Sequence, residues 1–457
     1  MQKFFNLNQI GLKQIECINK SKLFLKREST ENENIATDPN YFLTCWSSGV
    51  GNLNLQKISY KEVTFIKKLL HNLKEIYSKT LVRNAEIYQN SNNKKYKNLV
   101  ISYCSSDDIK KNKSYFDKYF SLNISLTKDT LWFLISIGKN INLPKKNISN
   151  LIIFKRIFKS KISNLFSLAI FFLNFFISLK FLNFKRNFSK ILSTSWFDEK
   201  LNDKIFDLLE KHQIRNLILP YEAQPHQHNI LKNIKERKLK VYTIGYMHTS
   251  LPSLPTDYIK RDGHPDKLYV NGSDQKKILC QKLGWRSNEI KSISSMRYLK
   301  KDKKIFKGQI FFPYYIYNEE MIFKNLKNFI LNLPDGYLPK LSVRNHPSMK
   351  FSKKHTKLKK MIEDFLSQNK RKFSNLKVKK NISLFIGSTS SVLECLERGI
   401  EAIHICENNL FDLYHPKIWK SLQVKQIDQN VFKYKLSRKG NCIKLGSKNF
   451  NFKKFGI

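Results

Sequence analysis

From residue 97 onward, short apolar runs alternate with segments whose apolar residues recur every three or four positions. The runs Leu99–Cys104, Thr130–Ser136, Leu151–Phe154, Asn216–Pro220, Val241–Gly245 and Lys267–Val270 predict buried strands by their length and their content of β-branched residues. Helical spacing occupies Asp198–His212, Gln227–Arg237 and Ser273–Leu283, the last closed by Gly284. A charged break at Lys300–Lys304 interrupts the alternation, which then restarts. Strands are expected at Gln309–Phe312, Leu341–Val343, around Phe385 and at Ala402–Ile405, with helices at Glu319–Leu331, at Lys357–Gln368 and just after Gly387.

Strands that are apolar throughout, separated by amphipathic helices, belong to parallel sheets covered on both faces. The expected fold class is therefore α/β, with two αβ units at 91–304 and 305–435. A polar, Lys/Asn-rich region at 1–90 with one helical segment around Tyr60–Tyr77 precedes them, and a basic tail at 436–457 follows. No apolar h-region or small-residue cleavage site opens the chain, so no signal peptide is expected.

Ile162–Leu179 departs from this pattern as an uncharged run of 18 residues, with Lys155, Arg156, Lys159 and Lys161 before it and Lys180, Lys185 and Arg186 after it. That is the lower limit for a membrane-spanning helix. Positive flanks on both sides give no orientation, and Asn164, Ser167, Asn174 and Ser178 interrupt the run. An inserted helix lying in the membrane interface with a basic collar is the expectation, with a helix buried in the protein as the alternative.

The 457 residues are 41% hydrophobic, enough for two cores, and carry a formal net charge of +47. The excess is mostly Lys spread along the chain with Asn, Ile and Phe, and no nucleic-acid-binding motif organises it. A basic nucleic-acid-binding protein is thus the alternative class, with no nucleic acid expected as partner. The seven cysteines are scattered without a CxxC pair, which suits reduced thiols in a cytoplasmic setting and neither a zinc site nor a disulfide framework.

Candidate chemistry lies at strand ends. Gly387-Ser-Thr-Ser-Ser391 follows a strand and opens a helix, where unpaired N–H groups and hydroxyls can hold a phosphate; Ser388 or Thr389 acting only as a helix cap is the plainer alternative. Glu394, one turn into that helix, would accept hydrogen bonds from a ribose or would be an ordinary surface glutamate. Arg344 and His346 end the preceding strand and suit phosphate oxygens or a base edge. In the first unit, Glu222 stands between a strand and a helix as a candidate general base, or as a carboxylate stabilising the helix start, and His248 at the next strand end is an alternative base or acceptor-binding group. His226 and His228 lack the carboxylate or Cys that would complete a metal site, so no metal is expected.

Tyr221-Glu222, Gly245-Tyr-Met-His248, Arg344-Asn-His-Pro347 and Ser388-Thr-Ser-Ser-Val-Leu-Glu394 with Arg398-Gly399 resemble bacterial surface-polysaccharide glycosyltransferases of the GT-B arrangement. The His-Pro pair and the hydroxyl cluster are similar to the nucleotide-holding motifs of capsule polysialyltransferases and Kdo transferases. The hydroxyl cluster also resembles that of teichoic-acid glycerophosphotransferases and, more loosely, UDP-GlcNAc 2-epimerases. The resemblance implies two facing Rossmann-like domains, a nucleotide-sugar donor, and a saccharide or lipid-linked acceptor. It further implies metal-independent sugar transfer in surface polysaccharide biosynthesis at the inner face of the cytoplasmic membrane. A CDP-glycerol-type transferase or an epimerase-like enzyme is the alternative. No acidic-acidic-glycine motif of the polysialyltransferase type is present, which leaves the base open between Glu222 and His248.

Overall fold

The computed structural model describes residues 7–31, 84–89, 94–105, 115–124, 127–136, 148–157, 196–300, 308–314, 316, 318–346, 349, 352–373, 381–447 and 455. Two parallel-rich sheets organise them. The first has eight strands in the order β1-β6-β5-β2-β7-β8-β9-β10: β1 Asn84–Gln89, β2 Asn98–Cys104, β5 Thr130–Ser136, β6 Leu151–Ile157, β7 Asn216–Pro220, β8 Tyr242–Tyr246, β9 Lys267–Val270 and β10 Ile290–Ser292. All neighbours pair in parallel except the edge strand β1, which runs antiparallel to β6. Helices α2 Trp196–Lys211, α3 Pro225–Glu236 and α4 Ser273–Lys282 belong to this unit, as does a small hairpin of β3 Phe116–Asp117 and β4 Leu122–Asn123.

The second sheet has six strands in the order β12-β11-β13-β14-β16-β15: β11 Gln309–Phe311, β12 Ser342–Arg344, β13 Ile382–Ile386, β14 Glu401–Ile405, β15 Leu422–Asp428 and β16 Val431–Leu436. The first four are parallel, and β15 and β16 add an antiparallel hairpin. Helices α5 Glu319–Leu331, α6 Lys353–Gln368, α7 Ser391–Glu397 and α8 Asn409–Asp412 link them. Asn318 caps α5 by accepting from Met321 N at 3.0 Å.

Strand order locates the points at which the crossovers reverse direction. In the first sheet β2 lies between β5 and β7, so the crossovers run one way from β2 to β6 and the other way from β7 onward, and the reversal falls between β2 and β7. In the second it falls between β11 and β13. At such a reversal neighbouring loops diverge at the carboxyl ends of the strands, leaving a cleft.

Several elements depart from the expectation. Helix α1, Leu7–Glu31, lies in the region expected to be merely polar, whereas the segment expected to be helical, Tyr60–Tyr77, lies outside the described residues. Ile10, Gln14, Cys17, Ile18 and Ser21 form the buried face of α1, and the two polar members break its apolar spacing in the sequence. Gln14 Nε2 donates to the carbonyls of Leu410 at 2.9 Å and Leu413 at 2.8 Å, so α1 is fastened to the second unit. Ile162–Leu179 also lies outside the described residues, and among those described no helix is long and apolar enough to cross a membrane.

Among the described residues, the chain leaves the first unit near 295–300 and returns to it at 441–446. On the way out, Ser295 N donates to Lys444 O and Lys300 N to Gly446 O, so residues 295–300 lie beside the returning segment 441–446. That return falls within the stretch expected to be a tail. It is held by Gln275 Nε2 on Cys442 O at 2.7 Å from the first unit, and by Glu397, which accepts from Cys442 N at 3.0 Å and Ile443 N at 3.1 Å, from the second. Farther along, Phe455 stacks edge-on against Tyr269 with ring centres 4.8 Å apart.

Candidate functional site

Glu222 follows β7 at the reversal point of the first sheet, and the backbone there is unusual: Ala223 has a φ of +54°. Gln227, in the first turn of α3, holds this loop. Its Oε1 accepts from Glu222 N at 2.9 Å and Gln224 N at 3.2 Å, while its Nε2 donates to Pro220 O at 2.7 Å and to the Tyr103 hydroxyl at 3.3 Å. The Glu222 side chain, 18% exposed, places Oε1 3.2 Å from Nε2 of His248 at the end of β8, whose side chain is 2% exposed. Glu222 Oε2 accepts from Gln224 Nε2 at 2.5 Å.

The two sequence candidates for the base are therefore one hydrogen-bonded dyad. Burial pushes the Glu222 carboxyl up, but the His248 hydrogen bond, the charges of His248 and Arg297, and the Gln224 bond together bring it below the usual carboxylate range. Burial holds His248 below the ordinary imidazole range despite Glu222. At neutral pH the dyad is thus a carboxylate accepting from a neutral imidazole, with the proton on Nε2. His248 Nδ1 is buried and has no hydrogen-bond partner among the described residues.

In the second unit, Gly387 ends β13 at the reversal point with a φ of +58°. The positive φ favours glycine at this turn, and a Cβ there would come within 3.1 Å of Pro313 Cγ, so the loop after β11 would have to give by a few tenths of an ångström. Buried His404 fixes this turn, with Nε2 2.7 Å from Gly387 O and Nδ1 3.0 Å from the Tyr434 hydroxyl. Since Gly387 O can only accept, Nε2 carries the proton. Ser388, Thr389, Ser390 and Ser391 follow, all half-buried. Ser390 occupies the cap position of α7, but its side chain makes no capping bond and lies beside the Tyr298 side chain. Ser391 N donates to Thr389 Oγ1 at 3.3 Å, and Thr389 O accepts from the Tyr414 hydroxyl at 3.3 Å.

Glu394 is buried and not an ordinary surface glutamate: its Oε1 accepts from Arg398 Nε at 3.0 Å and Nη2 at 2.6 Å. Arg398 Nη1 in turn donates to Leu299 O at 2.7 Å, tying α7 to the crossing segment. Arg344 lies within β12, its guanidinium 5.5 Å from the centre of the Phe311 ring. His346, just beyond, packs edge-on against Tyr314 at 5.2 Å. Burial pushes its imidazole down to about 4, helped by the charges of Arg297 and His355.

Arg297 was not singled out in the sequence, because the crossing segment 295–300 has no periodicity to mark it. Its position connects the site. It is exposed, and no carboxylate pairs with it among the described residues. Its charge acts on Glu222 and His248 of the first unit and on His346 of the second. The residues beside it are anchored on both sides: Met296 N donates to the Tyr246 hydroxyl at 2.9 Å, and Tyr298 meets Ser390. The structure thus joins Glu222 to His248, sets Arg344 on Phe311 and His346 on Tyr314, and lets the charge of Arg297 act on the dyad and on His346. His228 Nδ1 pairs with Gly263 O at 3.0 Å, and no group of three His, Cys, Asp or Glu side chains suited to a metal occurs among the described residues.

No protein-family model matches the chain, and no curated protein does. Among solved structures it is similar to an α,α-trehalose 6-phosphate synthase from Burkholderia multivorans, at 10% identity over 64% of this chain and 76% of that one, with a TM-score of 0.33. It is likewise similar to a glycosyltransferase from Rickettsia africae, at 11% identity over 70% and 86%, with a TM-score of 0.33. The wall teichoic acid polymerase TagF is 12% identical over 74% and 77%, with a TM-score of 0.31. These are distant similarities, too low in score to establish a common fold.

Proposed function

We propose that this protein is a glycosyltransferase of the GT-B arrangement, moving a sugar from a nucleotide-sugar donor to a saccharide or lipid-linked acceptor. One observation carries the reading. A carboxylate–imidazole dyad at the reversal point of one sheet and a histidine just beyond a strand of the other both feel the charge of one exposed arginine. In-line transfer needs those parts: a base on the acceptor side and positive charge on the leaving-group side.

In this reading the acceptor hydroxyl gives its proton to the dyad, entering at Glu222, the more open member. His248 orients the carboxylate. The hydroxyl oxygen bonds to the anomeric carbon as the bond from that carbon to the donor phosphate breaks, inverting the centre. The departing phosphate takes the negative charge, met by Arg297, Arg344, N–H groups and hydroxyls of Ser388–Ser391, and a neutral His346 that donates a hydrogen bond. Glu394 acts through Arg398 in holding α7 against the crossing segment. A role in surface polysaccharide synthesis, with Ile162–Leu179 laying the protein on the inner face of the membrane, extends the same proposal.

The test is thermal unfolding of the full chain with CMP, CDP, UDP and GDP and their sugar derivatives. A ligand at 100 times its Kd stabilises by about 2.7 kcal/mol. One nucleotide family should raise the Tm, and His346→Ala should remove that rise. No response to any nucleotide refutes the proposal.

A further inference from the structure

Beside the dyad stands an aromatic cluster whose rings meet polar groups. The Tyr119 ring lies against His248 with centres 4.6 Å apart and planes at 80°, and against Tyr103 at 5.7 Å and 60°. Tyr103 in turn meets His226 at 6.1 Å, with its hydroxyl 2.7 Å from His226 Nε2. Both tyrosines are partly exposed. Neither is loosely held. Tyr103 shares Gln227 with the backbone of Glu222, so the ring and the carboxylate are positioned by one side chain. Tyr119 sits in the turn of the β3–β4 hairpin, whose geometry is set by the fully buried Asp117. Asp117 accepts from Tyr119 N at 2.9 Å and Phe120 N at 2.8 Å on one oxygen, and from Ser102 Oγ at 2.5 Å on the other. A φ of +50° at Ser121 completes the turn. A buried carboxylate anchored to β2 therefore serves to hold one aromatic ring against the imidazole of the dyad.

We propose that Tyr119 and Tyr103 form the wall on which a pyranose ring of the acceptor stacks, making the acceptor a saccharide bound through the C–H face of a sugar. The inference rests on the transfer reading above and names its acceptor class. The C–H hydrogens on one face of a pyranose are attracted to the negative face of an aromatic ring, while its hydroxyls need acceptors at the rim. Glu222 supplies one. An acyclic polyol phosphate has no such face to offer.

Ligand-observed saturation-transfer NMR on the full chain tests this with methyl glucopyranosides, methyl galactopyranosides and glycerol 3-phosphate. Ring C–H protons of a pyranoside should saturate in the wild-type chain and in Tyr119→Phe, and Tyr119→Leu should weaken that binding at least tenfold while keeping the nucleotide-induced rise in Tm. Failure of every pyranoside to saturate, preference for glycerol 3-phosphate, or unchanged binding in Tyr119→Leu overturns the proposal. Failure of the transfer reading shows separately, as the absence of any nucleotide response in the wild-type chain.

Discussion

Glu222 Oε1 and His248 Nε2 lie 3.2 Å apart across neighbouring parallel strand ends, although 26 residues separate them in the chain (248 − 222). The pair behaves as one acid–base unit because each member changes the protonation of the other. Glu222→Gln keeps the shape and removes the base. It should lower transfer by about 10²- to 10⁴-fold and leave nucleotide binding, read as the shift in Tm, unchanged.

The pH dependence follows from the same contact. Glu222 is held below the ordinary carboxylate range, so activity should be retained at neutral pH and fall as the pH drops through the dyad's apparent pKa. His248→Phe keeps a ring against Tyr119 but removes a hydrogen bond that favours the charged carboxylate. The Glu222 pKa then rises, and the acidic limb of the kcat/KM profile should move to higher pH. An unmoved limb would show that another group is the base.

On the donor side, Arg297→Ala, His346→Ala and Ser390→Ala each remove a donor to the proposed phosphate. Hydrogen bonds to charged groups are worth about 1.5–3 kcal/mol, so each change should weaken nucleotide binding by roughly tenfold to a hundredfold. Calorimetric titration checks this, and wild-type affinity in all three would remove the donor site from this cleft.

Gly387→Ala addresses the turn itself. At a φ of +58°, with Pro313 3.1 Å from the added carbon, the substitution should cost about 1–2 kcal/mol from the left-handed conformation alone. Nucleotide binding should fall with it, because the hydroxyl loop begins at that residue. Urea unfolding and the nucleotide titration read the two effects.

Burial pushes fully buried His404 down to about 4, so the unfolded chain, with an imidazole near 6.5, binds its proton first. The stability this residue contributes is complete above about 6.5 and is lost as the pH falls towards 4, by up to about 3 kcal/mol. His346, also near 4, adds to the same window. Urea midpoints should therefore decline between pH 6.5 and 4, and His404→Gln should flatten that decline.

Local pattern determined much of this molecule. The apolar runs predict β2, β5, β7, β9, β11, β13 and β14 to within a residue or two, because a strand buried on both faces must be apolar throughout. Glu222, His248, His346 and Gly387 stand out because each lies just beyond the end of a strand. The hairpin β15–β16 alternates in burial only over Leu422–Gln426, and the apolar spacing of α1 is broken by Gln14 and Ser21 on its buried face, so neither is legible in the pattern. Tertiary structure alone decided the order of the strands, and with it the reversal points beside which Glu222 and Gly387 stand. It alone joined Glu222 to His248, set Tyr119 against that imidazole through Asp117, and let the charge of Arg297 act on Glu222, His248 and His346. Those relations join residues far apart in sequence through hydrogen bonds and charge, which leave no periodicity along the chain.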